Sequence, residues 1–273
     1  MNRRTRSIAV NGALALVALV TAFPLLWMVS ASLMPAGMSA NFPPPLWTTH
    51  PTLVHYRELF AHAGFGRHFV NSALIASGAT LLALTLNVMA GYAFAKLDFP
   101  GRDRLHRVLV AGLVIPAQVA MLPLFLELKS IGLVDTLAGV LVPSLAGIFS
   151  IFLVRQAALS IPDELLDAAR IDGASEWTIY RRIVLPLLTP MLVTLAVFTF
   201  LGAWNDFLWP LIILNDDDRY TLPVALASLS REHVQDSELM MAGSVVTVLP
   251  VLALFLGLQR YYLQGLMAGA VKG

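Results

Sequence analysis

Cysteine is absent from this 273-residue chain, which excludes disulfides, thiolate metal sites and cysteine nucleophiles. Charge is scarce: Asp, Glu, Lys and Arg supply 13% of the residues, against about 25% in soluble domains. Hydrophobic residues supply 58%, leaving too little polar surface to coat a water-soluble particle. Lysine is nearly missing, occurring only as Lys96, Lys129 and Lys272, and none of the three follows a glycine. A phosphate-cradling loop needs Gly-Lys before Ser or Thr, so the chain does not hydrolyse ATP by that route. Neither His-Glu-x-x-His nor Gly-x-Ser-x-Gly occurs, which removes the common metalloprotease and serine-hydrolase signatures. A net charge of +1, with no basic stripe interleaved with aromatics, argues against nucleic acid as a partner. His50, His55, His62 and His68 cluster in or beside one loop, at spacings that put no two ligands on one helical turn. They read as surface histidines rather than a metal site.

What the chain does have is long runs free of charge. A helix needs about 20 apolar residues to cross the hydrocarbon core, because its backbone groups must bond internally there. Runs at 7–34, 69–95, 108–126, 136–154, 183–214 (interrupted by Asp206 alone) and 239–259 give six spans. The fold class is therefore an all-α membrane protein with six transmembrane helices and both termini on one side. Arg3, Arg4 and Arg6, then Lys96, Arg102, Arg104 and Arg107, then Arg155, Arg170, Arg181 and Arg182, then Arg260 and Lys272 lie on that side. Arg57, Arg67, Lys129, Arg219 and Arg231 lie on the other. Positive charge accumulates on cytoplasmic loops, so both termini are expected inside. The first run follows a charged segment, as in a signal peptide, but is roughly twice the 7–15 residues of such a core and is expected to persist as a helix. The organisation expected is a first helix at 1–34, a periplasmic loop at 35–68, a transmembrane core at 69–263 and a cytoplasmic tail at 264–273. The outer loop, rich in proline and aromatics, is expected to be irregular with a short helix near 53–60.

The cytoplasmic connection at 160–186 is longer than a turn requires. Ser160 stands three residues before Asp163, as in a capping box with a carboxylate in the first turn. Ile161, Leu165, Ala168 and Ala169 fall at i, i+4, i+7 and i+8, one face of a helix. Gly173 sits where a helix C-cap needs a left-handed residue. Ser175 then caps a second short helix, and Pro186 opens the fifth span. A helix–turn–helix with small residues at Ala168 and Ala169 lets a partner approach closely.

These residues carry a resemblance. Asp167-Ala168-Ala169-Arg170-Ile171-Asp172-Gly173-Ala174-Ser175, followed by Ile183-Val184-Leu185-Pro186 and Pro190, resembles the EAA loop of binding-protein-dependent ABC importer permeases. Asp167 stands where that family usually has Glu, which keeps the charge on a shorter arm. Phe69-Val70-Asn71-Ser72, Gly91-Tyr92-Ala93-Phe94-Ala95, Ile115-Pro116, Leu122-Pro123-Leu124, Trp204-Asn205-Asp206-Phe207 and the segment Gly265 to Gly273 are similar to the carbohydrate-uptake branch. Among these, they look most like the maltose-type subunit with a short cytoplasmic tail. The resemblance implies a type I importer permease fold in the bacterial inner membrane. It implies a coupling role for Asp167, Ala168, Ala169, Asp172, Gly173, Ala174, Leu185 and Pro186. It also implies a second permease, two ATPase subunits that hold ATP and Mg, and a periplasmic or lipid-anchored solute-binding protein, with no cofactor on this chain itself.

Polar residues within the spans are the remaining candidates. An acid at a span centre costs on the order of 3 kcal/mol, which singles out Asp206. Either Asn205 and Asp206 line the aqueous path or its outer gate, or they make an interhelical hydrogen bond within or between subunits, or Asp206 is a lone acid close enough to the outer interface to be hydrated. Asn87 and Gln118 are weaker pathway candidates, since polar glue between helices is an equally good role for them. A self-contained ion-coupled transporter is the competing reading, but Asp206 alone makes a thin ion relay.

Overall fold

The computed structural model describes residues 3–232 and 236–270. Every regular element among them is helical. Five helices are long and apolar enough to span a bilayer: Val10–Ala31, Phe65–Lys96, Leu137–Leu159, Glu176–Trp204 and Ser237–Gly257. The helix that contains the last of these runs on to Ala270, through most of the expected tail. Residues 271–273, Lys272 included, lie outside the described residues.

The expected straight span at 108–126 is broken. The arms Arg102–Val114 and Ala117–Ser130 are bent by 108° relative to one another. The cause is local: proline disfavours the helical region for the residue before it, and Ile115 is extended with φ −83° and ψ 118°. Pro116 then starts the second arm.

The expected fifth span also needs revision at both ends. It begins at Glu176 rather than near 183, so Pro186 does not open it. A π turn at Tyr180–Val184 immediately precedes Leu185 and Pro186, and Leu185 N donates to Tyr180 O five residues back. A π turn widens the helix where a proline ring would otherwise press on the preceding turn. The span ends at Trp204 rather than 214, and the chain leaves the helix over 205–207. A short helix, Leu208–Ile213, follows, with Pro210 in its first turn, where no intrahelical N–H is required.

Contact density divides the chain into two units. One comprises residues 1–69 and 222–250. In it the outer loop folds onto the first helix: Trp27 Nε1 donates to Pro45 O at 3.1 Å and Ser30 Oγ to Leu46 O at 2.6 Å. Thr52 N closes the loop on Leu33 O at 2.9 Å, and the expected short helix is Val54–Ala61. The buried Glu238 carboxylate accepts Ser39 N at 2.7 Å. His55 and His68 are buried, contrary to the reading of all four clustered histidines as surface groups. His55 Nε2 lies 2.9 Å from Met34 O, so this ring belongs to the loop's own packing.

The other unit comprises residues 70–221 and 251–273. Toward its outer end, Ile75, Leu128, Val140, Trp209, Ile213 and Leu214 form one core, and Trp209 Nε1 donates to Gly139 O at 3.2 Å. Toward its cytoplasmic end a second core gathers residues of the second, fourth and fifth spans with the 160–186 connection. The second and fourth spans touch at Gly91, where a Cβ would lie 2.5 Å from Val154 Cβ. Only glycine fits that approach.

Candidate functional site: a braced cytoplasmic hairpin

The connection folds as expected in outline, a helix at Asp163–Ile171 turning into the fifth span at Glu176. Its first cap differs. Ser160 Oγ donates to Ala157 O at 2.7 Å and closes the preceding helix, while Pro162 takes the N-cap position of the new one. The acidic first turn is present as Asp163 and Glu164.

The turn at the other end matches the expectation at atomic level. Gly173 has φ +83°. Ala174 N donates to Ala169 O, and Gly173 N to Arg170 O, both at 3.0 Å. That pair of bonds is a Schellman motif, and it needs a left-handed residue between helix and exit. Ser175 Oγ then accepts Thr178 N at 3.3 Å and caps the next helix.

The apolar face is rotated from the expected one. Leu166 is the buried anchor, with Ile161, Ile179 and Tyr180, while Ala169 and Ala174 pack against them. Leu165 and Ala168 instead face outward. Beside them Ile171 is 86% exposed and Trp177 58% exposed. The hairpin thus buries one apolar side in the protein and leaves Leu165, Ala168, Ile171 and Trp177 exposed.

Ion pairs stiffen it. Arg170 Nη1 donates to Asp167 Oδ1, and Arg170 Nε to Glu176 Oε1, each at 2.7 Å. The bonds to Glu176 and then Asp167 raise the Arg170 pKa further above its already high value, so its charge is permanent. Glu176 Oε2 also accepts the Tyr92 hydroxyl at 3.0 Å. Lys96 Nζ donates to Ile161 O at 2.6 Å and Asp163 Oδ1 at 2.5 Å. The hydrogen bond from Lys96 holds the Asp163 carboxyl below the usual carboxylate range. Nothing in the sequence pattern alone ties Tyr92 and Lys96 to this hairpin, because the partners lie far away along the chain.

Residues 87–267 match the family described as binding-protein-dependent transport system inner membrane component. The chain belongs to this family. It is a permease subunit of an ABC importer, a multi-pass inner-membrane protein. The permease is 38% identical to the arabinooligosaccharides transport system permease protein AraQ of Halalkalibacterium halodurans, over 95% of this chain and 94% of that one. It is 32% identical to the lactose transport system permease protein LacG of Rhizobium radiobacter, over 100% and 98% of the two chains. Its fold superposes with a TM-score of 0.83 on a chain of a bacterial ABC transporter involved in alginate import, at 22% identity over 96% of this chain and 99% of that one.

The four pathway candidates of the permease are not brought together. Asn87 is buried and donates to Ser144 O at 3.4 Å, and its Oδ1 accepts Gly147 N at 3.1 Å. It ties the second span to the middle of the fourth. Gln118 is exposed at the start of the second arm of the bent span. Asn205 is exposed and bonds back to Leu201 O at 2.8 Å. Asp206 lies between helices rather than inside one, its Oδ1 3.5 Å from Trp209 N.

Proposed function

We propose that this permease carries a sugar or sugar-like solute inward, paired with a second permease, two ATPase subunits and a periplasmic solute-binding protein. ATP and Mg bind the ATPases, and this chain supplies the membrane path and one coupling hairpin. Asp167, Ala168, Ala169, Asp172, Gly173, Ala174, Leu185 and Pro186 are its coupling residues. Ala168 is exposed, Asp167 fixes Arg170, Gly173 and Ala174 make the turn, and Leu185 with Pro186 follows the π turn inside the fifth span.

The observation that carries this reading is the hairpin's two-sidedness. It is locked to the spans by hydrogen bonds and ion pairs, yet it keeps Ile171 and Trp177 exposed. Large apolar side chains grouped on one exposed face mark a protein contact surface. A groove on an ATPase subunit fits them, and movement of that groove would be passed to the spans rather than absorbed by the loop. The sugar class rests on the relatives, whose names specify arabinooligosaccharides and lactose, and diacetylchitobiose for a Streptomyces coelicolor permease that is 32% identical. Asn205 and Asp206, at the break after the fifth span, remain the path candidates.

The test is reconstitution in vesicles with the partner chains. Labelled oligosaccharide should accumulate only when ATP and the ATPases are supplied, and a protonophore should leave accumulation intact. Uptake by this chain without ATPases, abolished by the protonophore, would establish the ion-coupled alternative instead.

A further inference from the structure

The hairpin is continuous in sequence with the fourth and fifth spans, so the obvious route for a push from below is along those two helices. The hydrogen bonds point elsewhere. Tyr92 and Lys96 stand four residues apart, on one side of the last turn of the second span. Lys96 holds the start of the hairpin, through Ile161 O and Asp163. Tyr92 holds its far end, through Glu176. Glu176 in turn holds Arg170, which holds Asp167, so the chain of contacts returns to the middle of the hairpin helix. Both ends of the hairpin are therefore gripped by a span to which neither is directly connected.

The grip is built for transmission. The Lys96 side chain is 4% exposed, whereas its partner Asp163 is 75% exposed. A buried ammonium that reaches out to a solvent-facing carboxylate is anchored on the span side and attached on the hairpin side. The Tyr92 ring lies in the same core as Leu166, Ile179 and Tyr180, with its centroid 5.3 Å from that of Tyr180. Just above, Gly91 meets Val154 without an intervening side chain, and Asn87 bonds to Gly147 and Ser144. Displacement of the second span would carry the fourth with it.

We propose that the cytoplasmic end of the second span, through Tyr92 and Lys96 as positioning residues, is a principal load path from the coupling hairpin into the membrane core. The proposal rests on the coupling role argued above for that hairpin. Each residue acts by fixing the hairpin to a helix other than the two it connects.

The experiment uses the complete transporter in vesicles and reads three quantities: assembly, receptor-stimulated ATP hydrolysis, and solute molecules imported per ATP. Tyr92→Phe removes one hydroxyl and keeps the ring. Lys96→Met removes the charge and keeps the buried stem, and Lys96→Arg restores a donor. A single hydrogen bond to a charged group corresponds to about a tenfold effect. Tyr92→Phe and Lys96→Met are each expected to assemble and hydrolyse ATP while importing about three- to tenfold less solute per ATP, and Lys96→Arg to recover most of the loss. A wild-type import ratio in assembled Tyr92→Phe and Lys96→Met complexes overturns the proposal. So does reduced assembly with an unchanged ratio per assembled complex, because the residues would then serve the fold alone. Failure of the wild-type protein to import with ATP would instead count against the coupling role itself, which keeps the two readings separable.

Discussion

At the scale of single residues, the hairpin depends on positions whose roles differ although their chemistry looks alike. Gly173 has φ +83° and open space around it, with no atom within 4 Å of the point where a Cβ would stand. Any cost of replacing it is therefore conformational, about 1–2 kcal/mol for an ordinary L-residue in that region. Gly173→Val is expected to insert and assemble but to import less solute per ATP, whereas Gly173→Asn, which tolerates the left-handed region, should fall between it and wild type. A Gly173→Val transporter with normal coupling would contradict this. Leu165 and Leu166 make a second contrast: one faces solvent and the other is 1% exposed. Leu166→Ala should lower the thermal midpoint of the purified permease, since truncating a buried leucine costs about 2–5 kcal/mol. Leu165→Ala should leave that midpoint unchanged and weaken ATPase association, measured by co-purification. Asp206 separates capping from path chemistry. Asparagine caps as well as aspartate does, so Asp206→Asn should preserve stability and change transport; an unchanged rate would reduce Asp206 to a cap. The glycine turn and the Ser175 cap were legible in the sequence, because capping is local chemistry. Tyr92, Lys96, Arg170 and Glu176 were not legible as a set, because their meeting is decided by how the spans pack.

At the scale of elements, charge-free runs located the spans and their number, but proline did not locate their breaks. Pro24, Pro123, Pro190 and Pro250 all lie within helices, while Pro116 follows a break of 108° between two arms. The same residue type is tolerated or disruptive according to whether neighbouring helices satisfy the freed backbone groups, and a single sequence does not display its neighbours. The inward face of the hairpin helix keeps Ile161 and Ala169 of the expected four but takes Leu166 in place of Leu165 and Ala168, for a related reason. Leu165 and Leu166 are equally apolar, and the packing of the second, fourth and fifth spans selects which one turns inward. Packing between elements gives its own prediction. Gly91→Val should lose assembly, since a Cβ there lies 2.5 Å from Val154 Cβ and 3.0 Å from Ile151 O, and overpacking of this kind costs about 1–3 kcal/mol. Adding Val154→Ala should recover part of the assembled yield on size-exclusion chromatography, but not all, because the backbone oxygen remains in the way.

At the scale of the whole molecule, the two aqueous faces are built with different chemistry. On the outer face, Asp135 accepts Asn215 N at 2.9 Å and Asp216 N at 3.1 Å, and pairs with Arg219 at 2.6 Å, clasping two outer connections together. The backbone N–H of Asn215 above all, helped by that of Asp216 and by the Arg219 charge, holds the Asp135 carboxyl below the usual range. A carboxyl depressed in the folded state stabilises fully above its unfolded pKa, near 4, and loses that contribution as pH falls through the lower folded value. The thermal midpoint of wild type should thus exceed that of Asp135→Ala by a constant margin from neutral pH down to about pH 5, and the margin should close in stronger acid. A margin that persisted there would mean the clasp does not depend on the charge of Asp135. On the inner face, Ile171 and Trp177 have a further consequence. Large apolar side chains left without the partner that covers them are an aggregation liability. Copies made in excess of their companions would therefore be expected to stick to one another through these residues, and co-expression of the partner chains to keep them dispersed.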